Sequence, residues 1–410
     1  MKSAINTKLC LMMFLQFFIW GAWYTSIAVY MTAQGMGDLT HWPFTVTPVA
    51  AIVAPFFLGL VADRFFSTEK VLAFLHVAGG IVMLAVPQLV GNPTTFIVGL
   101  LAYTLCYMPT LGLANSLAFH HIEDQERQFP RVRVFGTIGW IVAGLSVSLI
   151  LSRVLGTTAE STAAPLYTAG VASIVLGLFC LTLPHTPPSA RGRKVSIGSL
   201  LGFDAFRQLG SASFYVFLVS AFLICIPLSA YYNFTQLFLG AAGVKNIAAV
   251  QTLGQVSEVG FMLLMPFFFA RLGVKWMLVV GMLAWSARYA LFALGAPEQV
   301  QWMVIAGIAL HGICYDFFFV TGQIYVDKKS SPAVRGQAQG MFVLVTYGVG
   351  MLIGAQIAGS VYNDFLGTST ALTPEQWQSF WWIPSGFALG VMVLFALLFR
   401  DRAVAQDRKM

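Results

Sequence analysis

Charge is scarce in this sequence. Only 10% of the 410 residues are Asp, Glu, Lys or Arg, against 58% that are hydrophobic. A water-soluble domain carries about 25% charged residues, so there is too little polar surface to wrap a soluble body of this size. Reactive cysteine pairs are missing too. Cys10, Cys106, Cys180, Cys225 and Cys314 stand singly inside apolar runs, without a CxxC pair. That argues against a disulfide framework or a thiolate metal site and marks them as small buried hydrophobes. There is no GxxxxGK(S/T) loop, so work driven by nucleotide hydrolysis on this chain is not expected. His120-His121-Ile-Glu123 lacks the HExxH spacing of a metallohydrolase. No cofactor, no metal and no enzymatic activity are expected.

What is present is one apolar run after another. About 20 apolar residues cross a bilayer core of roughly 30 Å as a helix. Twelve such spans are predicted, at 9–32, 44–63, 70–90, 95–119, 132–153, 165–184, 213–239, 247–270, 275–295, 300–325, 335–362 and 377–399. The first run is too long for the core of a signal peptide and has no A-x-A cleavage site, so it is expected to be the first span. Gaps such as Gly91-Asn92-Pro93 and Gly295-Ala296-Pro297 are turn-like. The fold class expected is all-α and polytopic.

The net charge of +7 could suggest a nucleic-acid partner, but its distribution points to a membrane. With the N-terminus inside, twenty of the 23 Lys and Arg residues fall on the inner side and only Arg153 and Lys245 on the outer side. Arg288 falls within the ninth span and is expected to snorkel to the outer interface. This positive-inside asymmetry predicts an inner-membrane protein with both termini cytoplasmic. The partners expected are a small solute, protons and the lipid bilayer, with no nucleic acid, and the chain is expected to be a monomer.

The two halves echo each other. Pro55-Phe-Phe in the second span recurs as Pro266-Phe-Phe in the eighth, Tyr107 in the fourth as Tyr315 in the tenth, and Pro130-Arg-Val-Arg133 as Pro332-Ala-Val-Arg335. The domains predicted are a six-helix bundle over 1–184, a cytoplasmic linker over 185–211, a second six-helix bundle over 212–400 and a cytoplasmic tail over 401–410. Six-plus-six repeats are the pattern of transporters whose substrate site lies near the bilayer midplane at the repeat interface.

Gly59-Leu-Val-Ala-Asp63-Arg64 resembles the GxxxD(R/K) signature of the major facilitator superfamily. The resemblance implies that Gly59, Asp63 and Arg64 form a conformational gate at the cytoplasmic ends of the halves. A narrower resemblance spans nearly the whole chain. Trp20-Gly-Ala-Trp23, Tyr107-Met-Pro-Thr-Leu-Gly-Leu-Ala-Asn115, Arg133-Val-Phe-Gly-Thr-Ile-Gly-Trp140, Gln255-Val-Ser-Glu258, Tyr315-Asp-Phe-Phe318 and Ala338-Gln-Gly-Met-Phe342 are similar to motifs of the bacterial nucleoside:proton symporter family. By that resemblance, nucleoside would meet Arg133, Thr137 and Trp140 on the fifth span, Ser229 and Tyr232 on the seventh, Gln255 and Glu258 on the eighth, and His311, Tyr315 and Asp316 on the tenth. Ser229 and Tyr232 replace the amides that the family has there, and His311 stands where the family has a tyrosine.

The residues alone single out the same region. Of the sixteen acidic residues, all but Glu258 and Asp316 fall in loops, at span ends or in tails. An intramembrane carboxylate is expensive and is a functional candidate by default; these two are the candidates for proton coupling. Gln255 and Glu258, three apart, share one helix face. Phe135, Trp140, Tyr231, Tyr232 and Phe234 could offer flat surfaces for a base, although most aromatics in such a chain pack against lipid or other helices. Gly336 and Gly340, and Gly350 and Gly354, form two GxxxG pairs that permit close helix packing. The function expected is a proton-coupled nucleoside importer working by alternating access. The alternative is a proton symporter for a sugar or other small polar solute.

Overall fold

The computed structural model describes residues 2–57, 66–123, 125–188, 198, 203–331 and 334–400. The expected gate residues Gly59, Asp63 and Arg64, much of the linker and the tail lie outside the described residues.

Among the described residues every regular element is helical. In the first half these are α1 (Lys2–Tyr24), α2 (Ile27–Ala33), α3 (Pro43–Phe57), α4 (Thr68–Ala85), α5 (Pro93–His121), α6 (Gln125–Leu145), α7 (Ser152–Leu155) and α8 (Ala164–Cys180). In the second half they are α9 (Phe203–Leu209), α10 (Ala212–Ala241), α11 (Ile247–Gly295), α12 (Gln301–Ala309), α13 (His311–Tyr315), α14 (Thr321–Lys329), α15 (Arg335–Val343), α16 (Met351–Leu366) and α17 (Pro374–Leu398). Three π-helical segments, Ser146–Leu151, Asp316–Val320 and Leu344–Gly350, interrupt the long rods. Nine helical stretches among the described residues are long and apolar enough to cross a membrane, and Ala164–Cys180 is a shorter apolar helix.

The helix ends follow the local sequence. Asn92 caps α5 by accepting the N–H of Thr95 at 3.1 Å, with Pro93 as first helical residue. Thr373 and Gln376 form a capping box at the start of α17, followed by Pro374. These side chains meet N–H groups that have no partner inside the helix. α11 runs for 49 residues and contains both predicted spans 247–270 and 275–295. At about 1.5 Å per residue, a straight rod of that length would be more than twice as long as a bilayer core is thick. The break comes at Gly273, whose φ of 66° lies in the left-handed region that glycine adopts without penalty.

Two compact units result: Met1–Ser196 with Asn246–Thr252, and Ile197–Lys245 with Leu253–Met410. The opening turns of α11 thus belong to the first unit and the remainder to the second. Inside the first unit, buried polar groups tie four helices together. His76 of α4 donates from Nε2 to Oε1 of Gln16 on α1 at 2.9 Å, and its Nδ1 lies 3.3 Å from Ser173 Oγ on α8. Gln16 in turn donates to Thr110 Oγ1 on α5 at 2.7 Å. Such a network is stabilising only because its members are paired. Inside the second unit, Tyr289 of α11 donates to the carbonyl of Pro227 on α10 at 2.6 Å. Phe234, Tyr362, Phe380, Trp377 and Trp381 form an aromatic core around α10, α16 and α17. Phe234, considered above as a stacking surface, is fully buried in that core.

Candidate functional site

In the first unit, the motif from Arg133 to Trp140 has two faces. Gly136 and Gly139 press α6 onto α1: a Cβ on Gly139 would lie 2.1 Å from the carbonyl oxygen of Phe14, and one on Gly136 would lie 2.6 Å from the Phe17 ring. Arg133, Thr137 and Trp140 follow one another at spacings of four and three, so they share one helix face, and all three are half-buried. The Arg133 guanidinium lies 4.1 Å over the Phe17 ring. Trp140 meets Trp20 edge-on at 5.6 Å and Tyr24 at 6.2 Å. This row is a cation, a hydroxyl and an indole held by glycines behind it. Phe135 is on the exposed side of the helix and does not join it.

In the second unit, α11 and α13 are drawn together by small residues. A Cβ on Gly312 would lie 2.5 Å from the backbone of Ser257, and one on Gly254 would lie 3.1 Å from His311. Ser257 locks the contact by donating to the carbonyl of Ala309 and accepting the N–H of Gly312 at 3.3 Å. One residue on, Glu258 places a carboxylate oxygen 3.8 Å from Nε2 of His311. Gln255 is half-buried, and its amide oxygen is buried without a hydrogen-bond partner among the described residues.

His311 itself is buried. Its ring stacks on Tyr231 of α10 at 5.7 Å and on Tyr315 at 5.8 Å. Asp316 opens the π-helical segment; it is fully buried, and neither carboxylate oxygen has a hydrogen-bond partner among the described residues. π-bulges inside α-helices are frequent at functional sites, because the extra residue re-aims the side chains around it. Tyr232 and Tyr315 are half-buried. Glu258, His311, Tyr315, Asp316, Tyr232 and Gln255 therefore lie on elements of the same unit, with a direct approach of Glu258 to His311.

Ser229 does not join them. It is fully buried on the side of α10 facing α16, where its hydroxyl donates to the carbonyl of Met351 at 3.1 Å.

Arg288 corrects an expectation. It does not snorkel to an interface: it is 0% exposed, its guanidinium carbon lies 4.2 Å over the Tyr231 ring, and none of its three guanidinium nitrogens has a hydrogen-bond partner among the described residues. Distance along the span suggested an interfacial residue. The side of α11 on which it sits decides otherwise, because that side packs on α10 and α13. A basic residue in mid-span was the available signal.

Comparison with known proteins gives a consistent assignment. The family model described as "Nucleoside H+ symporter" matches residues 2–403. The chain is 39% identical to the putative nucleoside transporter YegT of Escherichia coli K12, over 97% of this chain and 94% of that one. It is 31% identical to the nucleoside permease NupG of the same organism, over 98% and 97% respectively. The crystal structure of NupG superposes with a TM-score of 0.85 at 30% identity, covering 97% of this chain and 100% of that one. The protein is an all-α, multi-pass membrane transporter with the major facilitator fold, and it belongs to the nucleoside:H+ symporter family.

Proposed function

We propose that the chain imports nucleosides by alternating access. On this proposal Arg133, Thr137 and Trp140 in the first unit, and Tyr232, Gln255, His311 and Tyr315 in the second, contact the nucleoside. Glu258 carries the proton, with Asp316 as the second carboxylate. The observation that carries the assignment is the approach of Glu258 to His311 beside the amide oxygen of Gln255, which has no hydrogen-bond partner among the described residues. This sets a titratable acid and a neutral hydrogen-bonding group on one helix face. A nucleoside such as uridine is neutral near pH 7, so uphill uptake requires a co-transported charge. Protonation removes the penalty of carrying an uncompensated carboxylate through a low-dielectric interior.

The membrane is proposed to be the bacterial inner membrane, with both termini cytoplasmic, on the strength of the basic asymmetry. The protein is proposed to work as a monomer within the lipid bilayer. The gate role of Gly59, Asp63 and Arg64 rests on their match to the superfamily signature.

Glu258→Gln, which imitates the protonated acid, tests the assignment in proteoliposomes. Accumulation of labelled uridine under an imposed pH gradient should be lost, while exchange of labelled for unlabelled uridine, which moves no net proton, should survive. If the variant still concentrates uridine, Glu258 is not the coupling site.

A further inference from the structure

We propose that Arg288 is a positioning residue for proton coupling: its fixed positive charge, one stacked ring pair away from Glu258, allows that carboxylate to release its proton and sets the pH range of coupled transport. The proposal rests on Glu258 being the coupling carboxylate.

A guanidinium stays protonated in proteins, so Arg288 is a permanent cation. Buried charges are ordinarily paired with an opposite charge or fully hydrogen-bonded. Among the described residues Arg288 is neither: it is wholly buried, and no guanidinium nitrogen has a hydrogen-bond partner. Its contact is the face of Tyr231 at 4.2 Å. Tyr231 stacks on His311 with the rings 19° from parallel, and His311 Nε2 stands 3.8 Å from Glu258. An unbroken line of groups thus joins the cation to the acid.

The titratable groups facing the guanidinium are Tyr231 and Tyr232 from α10, Tyr289 on its own helix, and Cys314 and His311 from α13. Among the described residues none of these is a carboxylate, so the cation is not held in a private ion pair with one of them, and its field is available to Glu258. Asp316 lies within electrostatic reach of Glu258. A fixed cation favours the ionised form of a carboxylate near it by Coulomb attraction. The charge therefore works on how readily the acid pair lets a proton go, while leaving the hydrogen bonds to substrate alone.

The test compares Arg288→Leu with Arg288→Lys in proteoliposomes, reading uridine exchange and uridine accumulation against pH. In Arg288→Leu the alkaline limb of the exchange profile should move up by about one pH unit, the effect of removing a nearby unit charge at intermediate dielectric. Accumulation at neutral pH should fall at least tenfold, and Arg288→Lys should restore both. Should Arg288→Leu fail to fold, Arg288→Gln removes the charge while keeping hydrogen-bond donors, and the same shift is expected. An unshifted profile in a folded neutral variant overturns the proposal. So does an equal, pH-independent loss in the Lys and neutral variants, which is the mark of a structural role. Failure of the underlying assignment looks different: Glu258→Gln would keep accumulating uridine whatever stands at position 288.

Discussion

The backbone N–H of Ala248, in the first turn of α11, donates to Oε1 of Glu160 at 3.3 Å. Ser148 completes the clasp: its hydroxyl donates to the same carboxylate oxygen and accepts the N–H of Ala249 at 3.0 Å. A helix begins with four N–H groups that lack intrahelical partners. Here two of them are met by side chains 88 and 101 residues earlier in the chain. A carboxylate is well suited to the task, because the N-terminal end of a helix carries partial positive charge. The clasp explains why residues 246–252 pack as part of the first unit.

Glu160→Ala should therefore destabilise the protein by about 1–2 kcal/mol, the usual cost of losing a helix cap. Glu160→Gln should lose less, since its amide oxygen can still accept. Thermal unfolding in detergent reads the difference. An Ala variant that melts with the wild type would show that the clasp contributes nothing.

The two GxxxG pairs near the start and middle of the eleventh predicted span should respond oppositely to alanine. A Cβ on Gly354 would lie 2.5 Å from Ser229 Oγ and 2.8 Å from the carbonyl of Cys225, whereas among the described residues nothing lies within 4 Å of one on Gly340. Gly354→Ala should push α16 from α10 and lose about 1–3 kcal/mol, as overpacked sites do. Gly340→Ala, on the same thermal scale, should be neutral or gain up to about 1 kcal/mol in helix propensity. Equal melting temperatures for the two variants would contradict the packing.

Much of this was legible in the sequence, because spanning a bilayer demands long apolar runs and each leaves a plain signal. Glu258 and Asp316 stood out for the same reason, as acids where acids are costly. Other features depended on which side of a helix faces which neighbour. Ser229 and Phe234 looked like candidates by type and position, yet α16 and α17 cover them. Arg288 looked interfacial by its distance along the span, yet its side of α11 faces Tyr231. The π-helical turn at Asp316 had no sequence signal. The break at Gly273 was visible only as a gap between two apolar runs.

His41, in the turn between α2 and α3, predicts an acid-sensitive step in stability. Burial pushes its imidazole below the ordinary value of 6.5, and nearby Asp38 pulls it only part of the way back. The folded chain therefore prefers the neutral ring, while the unfolded chain takes up the proton at higher pH. The stability that His41 contributes is fully present above about pH 6.5 and declines as the pH falls from there through the folded value. Melting temperatures measured from pH 7.5 to 5 should fall less steeply in His41→Gln than in the wild type. Parallel curves would place the acid sensitivity elsewhere.

Gln255 and Trp140 offer the clearest test of the binding assignment, because they sit in different units and work by different physics. Gln255 presents a buried amide oxygen without a partner among the described residues, suited to accept from a base edge or a ribose hydroxyl while its nitrogen donates. Losing one such hydrogen bond costs about 0.5–1.5 kcal/mol, so Gln255→Ala should weaken uridine binding by up to about tenfold. Trp140 offers an indole fixed edge-on against Trp20 and Tyr24. Stacking a base on an aromatic ring contributes about 1–3 kcal/mol, so Trp140→Ala should weaken binding more than Gln255→Ala does. Trp140→Phe, which keeps a flat face, should recover most of that loss. Gln323→Ala, at an exposed position on α14, serves as the control and should bind as the wild type does. Isothermal titration with purified protein measures all four. Wild-type affinity in both Ala variants, with folding intact, would move the nucleoside to other residues of the chain.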